Sequence, residues 1–297
     1  MRTAQELYSL SEAANDASRY EHAVKLAAEA IAIDPQYALA YGTLSRGLNR
    51  LGRYEEAIEA ARNAIDLDPE NEWYFRLLGC IYSDLEQYEE AEEHLSVALK
   101  LDPENANSHQ RLGTAFIGLG QTKDAVRSSL RALEFDPENE LALLDLSWCY
   151  IRLGRFGTAE EYCRQILAIN PNNSLALNNL GVCLEESNQP EEAAVAYKSS
   201  VIAAPTGRLA KSNIQELMSR RQTQTWFFAP LILIALALIF LIDGGLDGRA
   251  MPLRIGAAVV IVAVSATEWI SRRRRLRRLT EKDPELMSLY RRVQKHG

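Results

Sequence analysis

The amino-acid sequence predicts an all-α protein: an α-solenoid of six helix-pair repeats with a capping helix, followed by a transmembrane helical hairpin. Three observations carry this. Prolines at 35, 69, 103, 137, 171 and 205 fall on one 34-residue phase. Small and apolar residues recur between them at fixed offsets, and two long apolar stretches follow residue 222. A period of this length marks a helical repeat array, in which each unit buries its apolar face against its neighbours.

The repeats are read over 4–37, 38–71, 72–105, 106–139, 140–173 and 174–207. Asp34, Asp68, Asp102, Asp136 and Asn170 precede the first five prolines, and Ala204 precedes the sixth. Each proline lacks an amide hydrogen and disfavours helix in the residue before it, so it closes the second helix of a unit. Near each midpoint comes a turn, as at Gly52-Arg53-Tyr54 and Gly154-Arg155-Phe156. Glycine there supplies the left-handed conformation that ends the first helix. Ala23, Ala57, Ala91, Ala125, Ala159 and Ala193 let the second helix come close to the first. Seven residues on, Ala30, Ala64, Ala98 and Ala132 repeat the small side chain, replaced by Ile166 and Ser200 in the last two units. Leu10, Leu44, Leu78, Leu112, Leu146 and Leu180 mark the first helices. Thr3 and Glu6 read as a capping box that opens the array.

These residues resemble the tetratricopeptide repeat. The third unit matches that pattern best, with Phe75, Leu78, Gly79, Tyr82, Ala91, Leu95, Ala98 and Pro103. The first and second match less well, with Ala14 and Leu48 at the aromatic position and Ala27 and Ala61 at a later bulky one. The fold expected is thus a TPR-type solenoid. Residues 208–222 read as a capping or linker helix, with Leu209, Ile214, Leu217 and Met218 available to cover the sixth unit.

The span 223–243 includes Trp226–Ile242, 17 residues without a charge, and is read as a transmembrane helix. A short external loop (244–252) leads to a second apolar segment, 253–270, with Arg254 and Glu268 near its ends. It is read as a second transmembrane helix, with a re-entrant or interfacial helix as the alternative. Arg220 and Arg221 precede the first span, and Arg272, Arg273, Arg274, Arg275, Arg277 and Arg278 follow the second. By the positive-inside rule the repeats and the basic tail 271–297 are cytoplasmic. The arginine run also faces the lipid headgroups. The N-terminal stretch has no apolar signal-like region, which gives the same orientation. Arginine outnumbers lysine 26 to 7, a composition pointing to a bacterial inner membrane.

The formal net charge of −7 is unevenly spread, with 12 basic and 6 acidic residues from Thr223 onward and 21 basic and 34 acidic before it. An acidic repeat region argues against nucleic acid as a partner. Cys80, Cys149, Cys163 and Cys183 lack CxxC spacing, and Cys149 and Cys183 sit at equivalent core positions. His22, His94, His109 and His296 have no metal-ligand spacing, and His109 occupies a packing position. No phosphate loop or nucleophile motif is present. The reading therefore expects no catalytic residue, no metal and no cofactor.

Function then falls to a surface. The resemblance implies that the first helices line a concave groove through their positions 2, 5, 9, 12 and 13. By phase these include Arg46, Asn49, Arg50, Trp73, Arg76, Cys80, Asn107, Gln110, Thr114, Leu144, Trp148, Arg152 and Asn178. Arg46 and Arg76 suit a carboxylate, Asn107 and Gln110 an extended backbone, Trp73 and Trp148 a buried side chain. The chaperone-tail clamp of that family does not match, since Tyr8 and Glu12, or Gly42 and Arg46, stand where Lys and Asn belong. The expectation is a membrane-tethered scaffold or adaptor for a protein or peptide partner. A second reading is a structural subunit or assembly factor of a membrane complex, acting through its hairpin or by forming a homo-oligomer.

Overall fold

Helix boundaries in this chain recur every 34 residues, set by side-chain caps at some starts and by backbone closures at the turns. The computed structural model describes residues 2–209 and 211–216, which form two compact units, Met1–Pro171 and Asn172 onward. The first unit holds α1 (Ala4–Asp16), α2 (Tyr20–Ile33), α3 (Ala38–Arg50), α4 (Tyr54–Leu67), α5 (Glu72–Asp84), α6 (Tyr88–Leu101), α7 (Ala106–Gly118), α8 (Thr122–Phe135), α9 (Glu140–Arg152) and α10 (Phe156–Ile169). The second holds α11 (Ser174–Glu186), α12 (Pro190–Ala203) and further helical residues at 209 and 211–216. Among the described residues the architecture is all-α, with α1 to α12 arranged as six hairpins.

Four of the first helices, α5, α7, α9 and α11, start at a cap set by the Pro-containing connection. The side chains of Asn71, Asn105, Asn139 and Asn173 accept from backbone amides of the helix they open, at 3.0 to 3.2 Å. The amide nitrogens of Asn71, Asn105 and Asn139 donate in turn to Asp68, Asp102 and Asp136, the residues that end the preceding helix. One Asp-Pro-Glu-Asn segment thus stops one helix and starts the next. Thr3 and Glu6 form the reciprocal capping box on α1. At the other turn, Ser18, Gly52, Glu86, Gly120, Gly154 and Asn188 all have φ between 57° and 73°. The following amide bonds back to the first helix, as Arg53 does to the Leu48 carbonyl at 3.0 Å, which is the Schellman closure.

Within each hairpin the helices approach closely where the paired side chains are small. Ala23, Ala57, Ala91, Ala125, Ala159 and Ala193 are fully buried. Opposite them the sizes compensate. A Cβ on Gly79 would lie 2.5 Å from Leu95 Cγ, and one on Gly181 2.5 Å from Tyr197 Cδ1. Where Ala27 and Ala61 stand in place of Leu95, the glycine position holds Ser11 and Ser45, whose hydroxyls donate to the Ala23 and Ala57 carbonyls at 2.8 Å. The poor matches of the first two units are therefore filled by an alternative packing solution. The cores follow from this contact, with Leu48, Leu78, Ile81, Tyr82, Leu95 and Leu112 in one cluster and Leu7, Leu26 and Ala30 in another. Leu10 is 42% exposed, because no helix among the described residues precedes α1.

Stacking of hairpins in the first unit gives it two unlike sides. The first helices pack on one another in succession, α1 on α3, α3 on α5, α5 on α7 and α7 on α9. No pair of consecutive second helices packs to that extent. The row of first helices is therefore the tighter, inner side of this unit. In the second unit α11 and α12 pair closely, and Ile214 from the following helical residues is buried. The predicted membrane spans 223–243 and 253–270, the loop 244–252, the tail 271–297 with Arg272–Arg278, and the end of the capping segment lie outside the described residues. Among those described, no helix is long and apolar enough to cross a membrane.

The size matching is open to a double-mutant cycle. Gly79→Ala or Gly79→Ser alone is expected to destabilise by about 1–3 kcal/mol through overpacking. Leu95→Ala alone should cost about 2–5 kcal/mol through the cavity it leaves. Gly79→Ser with Leu95→Ala rebuilds the Ser45–Ala61 arrangement, so the pair should cost at least ~1 kcal/mol less than the sum. Thermal unfolding of the full chain reads the coupling, and additive losses would refute the compensation.

Candidate functional site: the inner face of the first unit

The inner face is built from helix-to-helix rungs, each anchored on a carboxylate. Between α1 and α3, Glu12 accepts from Thr43 Oγ1 at 2.6 Å and from Arg46 at 3.1 Å, and Asp16 accepts from Arg46 at 3.3 Å. Asn15 donates to the Thr43 carbonyl at 3.2 Å. From α3 to α5, Asn49 donates to Asp84 at 2.8 Å. From α5 to the start of α7, Glu72 accepts from Asn105 at 3.1 Å and Ser108 at 3.4 Å, while also pairing with Arg76 of its own helix at 3.2 Å. From α7 to α9, Asp145 accepts from Gln110 Nε2 at 3.0 Å and Thr114 Oγ1 at 3.1 Å.

Asp145 is the most perturbed of these acids. Burial pushes its carboxyl up to about 6, against the hydrogen bonds from Gln110 and Thr114 and the nearby positive charge of Arg111. Cys149, one turn on, is fully buried, and burial together with the Asp145 charge pushes its thiol up to about 12. It is a small core residue and not an activated nucleophile. Cys163 and Cys183 are likewise buried, and no cysteine is disulfide-bonded. Among the described residues no group of His, Cys, Asp and Glu could hold a metal ion. His109 stacks on Phe135 with ring centroids 5.8 Å apart, and His94 on Tyr82 at 5.2 Å.

The residues picked from the sequence divide into two groups. Arg46 and Arg76 are already held by carboxylates of the chain, and Asn49 and Gln110 are spent in rungs. Trp73 lies over Gly42, where a Cβ would meet its ring at 2.5 Å, so it packs α5 against α3. Asn178, in the second unit, is buried and accepts from Asn213 at 2.9 Å. The other group stays available. Arg50 makes no hydrogen bond or ion pair among the described residues and Asn107 is exposed; Arg111, which the sequence did not single out, is likewise unpaired there. Both arginines lower the thiol pKa of Cys80, on α5 between their helices, though burial outweighs them and the net shift is upward. Trp148 and Arg152 stack, with the guanidinium carbon 5.0 Å from the ring centroid.

Sequence reasoning missed Glu72, Asp84, Arg111 and Asp145. A signal for Asp145 did exist, since it is the one acidic side chain in α9 past its first residue, in an otherwise apolar run. An isolated acid facing a neighbouring helix must find donors there.

A hairpin-repeat protein with a polar inner face is the class this architecture defines. Family comparison makes it specific: tetratricopeptide-repeat models match residues 43–106, 111–174 and 162–194. The chain thus carries tetratricopeptide repeats. Solved structures agree in fold. A chain of the APC/C hetero-tetramer Cut9-Hcn1 superposes with a TM-score of 0.68 at 16% identity, over 72% of this chain and 42% of that one. PilF of Pseudomonas aeruginosa gives 0.64 at 18% identity, covering 73% and 97%. A thermophilic TPR protein of Thermus thermophilus gives 0.53 at 21% identity, covering 63% and 98%. The chain therefore spans less than half of the Cut9-Hcn1 chain it resembles. A search of curated proteins finds no match.

The buried acid sets a pH dependence. Its folded pKa lies above the usual carboxylate value, so the folded state holds the proton more tightly than the unfolded state does. Its contribution to stability is greatest below about pH 4, the unfolded value, and is lost as pH rises towards about 6. A carboxyl carbon titration should show Asp145 with a midpoint near 6. Asp145→Asn should flatten the stability profile across that window, and an unchanged profile would show that the acid is not desolvated. Arg46→Glu would set three carboxylates together with Glu12 and Asp16 and should destabilise by about 1 kcal/mol or more. Thermal unfolding measures it.

Proposed function

We propose that this protein is a non-catalytic scaffold, tethered to a membrane, that binds an extended segment of a partner protein along the inner face of its first unit. The supporting observation is the division of labour on that face. Carboxylate rungs consume Arg46, Arg76, Asn49 and Gln110, and leave Arg50, Arg111, Asn107 and the Trp148–Arg152 stack on a fixed frame. Two uncommitted guanidinium groups next to rigid helices suit carboxylates and backbone carbonyls, and the stacked tryptophan suits an apolar side chain. A frame already bonded to itself loses little entropy when a partner is laid on it.

The tether is the pair of apolar segments 223–243 and 253–270, and the positive-inside reading puts the repeats at the cytoplasmic surface of what we take to be a bacterial inner membrane. Confinement there raises the effective concentration of the groove for partners at the same surface.

Two measurements test the proposal on the full chain in native membranes. Resistance to alkaline carbonate extraction is expected, and release of the chain would reject the tether. A photo-crosslinking residue at Asn107 or Arg152 should capture one defined partner, whereas one at the outward-facing Arg127 or Glu161 should not. Arg50→Glu combined with Arg111→Glu should cut the inner-face adduct roughly tenfold, the loss of about 1.4 kcal/mol of binding. Equal capture from both sides, or no effect of the two reversals, would reject the groove.

A further inference from the structure

The outermost position of the second helices is charged in each of the first five repeats: Lys25, Glu59, Glu93, Arg127 and Glu161. The sixth repeat has Val195 there, 57% exposed. Two turns later the earlier repeats carry Ala32, Asp66, Lys100, Glu134 and Ala168, and the sixth has Ile202, 62% exposed. Residues seven apart share one face of a helix, so α12 turns an apolar stripe outward where each of the other repeats places at least one charge. Packing within the hairpin does not explain it, because Ala193, Tyr197 and Val201 already fill the inward positions and are buried. Valine and isoleucine also have lower helix propensity than the lysine, glutamate and arginine found at the equivalent sites. Leu209, 63% exposed, adds a third apolar side chain just beyond the helix.

Charge changes over the same stretch. From Ala193 to Gln215 there is no Asp or Glu, and Lys198, Arg208 and Lys211 give a net +3. The five equivalent windows (23–45, 57–79, 91–113, 125–147 and 159–181) are net −1, −3, −2, −3 and −1. Isolated apolar side chains bordered by basic ones, with acids removed, are the composition of a surface that enters the headgroup layer of an anionic bilayer. The chain then runs from Leu209 to the uncharged Trp226–Ile242 segment in 17 residues, which keeps this hairpin close to any membrane that segment enters.

We infer that the outer face of α12, through Val195 and Ile202 and with Leu209, docks on the surface of an anionic lipid bilayer, holding the last hairpin against the membrane. This rests on the tether reading. It adds a second, interfacial contact that would orient the hairpin and not merely anchor it.

The test uses the full chain in vesicles containing nitroxide-labelled lipid. An environment-sensitive fluorophore is placed on a single introduced cysteine at 195, 202 or 209, with controls at 127 and 161, in a Cys80→Ser background. Lipid quenching should be several-fold stronger at 195 and 202 than at the controls, and should weaken when phosphatidylglycerol is replaced by phosphatidylcholine. In the chain labelled at 209, Val195→Glu with Ile202→Glu restores the residue type of other repeats. That variant should keep its thermal unfolding while losing lipid quenching. Quenching at 195 and 202 no stronger than at the controls overturns the inference. So does shielding of those sites from aqueous iodide without lipid quenching, which would identify a protein surface as the cover. Alkaline carbonate extraction reads the tether separately, since a chain that survives it without lipid quenching loses only the docking.

Discussion

Two helices joined by three residues, as α1 and α2 are by Ala17–Arg19, can lie side by side only where small side chains let their backbones approach. That close approach controls the rest of the structure. It requires an alanine at 23, 57, 91, 125, 159 and 193 and a glycine or serine opposite, and it leaves the large apolar residues to fill the space between hairpins. It also requires a left-handed residue at the turn, which falls on glycine three times and on Ser18, Glu86 and Asn188 otherwise. Those three accept a backbone conformation that costs an L-residue roughly 1–2 kcal/mol, and the hairpin contact holds them there.

Once hairpins of this shape stack, the inner row of first helices brings polar side chains of adjacent repeats within hydrogen-bond reach. The pairs that result are separated by about one period: Glu12 with Thr43 and Arg46, Asn49 with Asp84, Glu72 with Asn105 and Ser108, and Gln110 and Thr114 with Asp145. This is the array's counterpart of the i to i+4 pair on a single helix. Each rung joins neighbours only, so the frame is a chain of local bonds, and a change in one is felt mainly across one interface.

That regularity also explains what could be read without coordinates. The 34-residue phase, the six hairpins and the Asp-Pro boundaries are written in residue type and spacing, because they depend on backbone chemistry at single positions. The groove positions were legible as a set but not their state. Arg46 and Arg76 look like free cations in a linear sequence, and only the stacking shows that Glu12, Asp16 and Glu72 claim them. Arg111 stands at the sixth position of its repeat, outside the groove set of positions 2, 5, 9, 12 and 13. A search for complementary polar pairs about one period apart would have found the Glu12–Arg46 pair, while Arg76 pairs within its own helix, at an ordinary four-residue spacing. Size compensation at Ser11–Ala27 and Ser45–Ala61 was likewise hidden, since each residue alone reads as a departure from the pattern.

The same logic identifies where a repeat array is free to acquire specific chemistry. Positions used by the hairpin contact, the turn, the cap and the rung are constrained in every unit, so departures there reappear as paired compensation. Positions outside those contacts carry no such obligation, and a residue type unlike its five counterparts has no packing reason to differ. Val195 and Ile202 on the outer side of the last hairpin are residues of this kind. Arg50 and Arg111 on the inner side join them by a different route, standing where other units place rung residues (Asp16 and Asp84, Thr43 and Asp145) but making no rung themselves. Their side chains contribute little to holding the fold together. Exposing two β-branched residues in water where most of their counterparts carry charge even works against solubility. The frame that makes them unnecessary for folding is what leaves them available to meet another molecule.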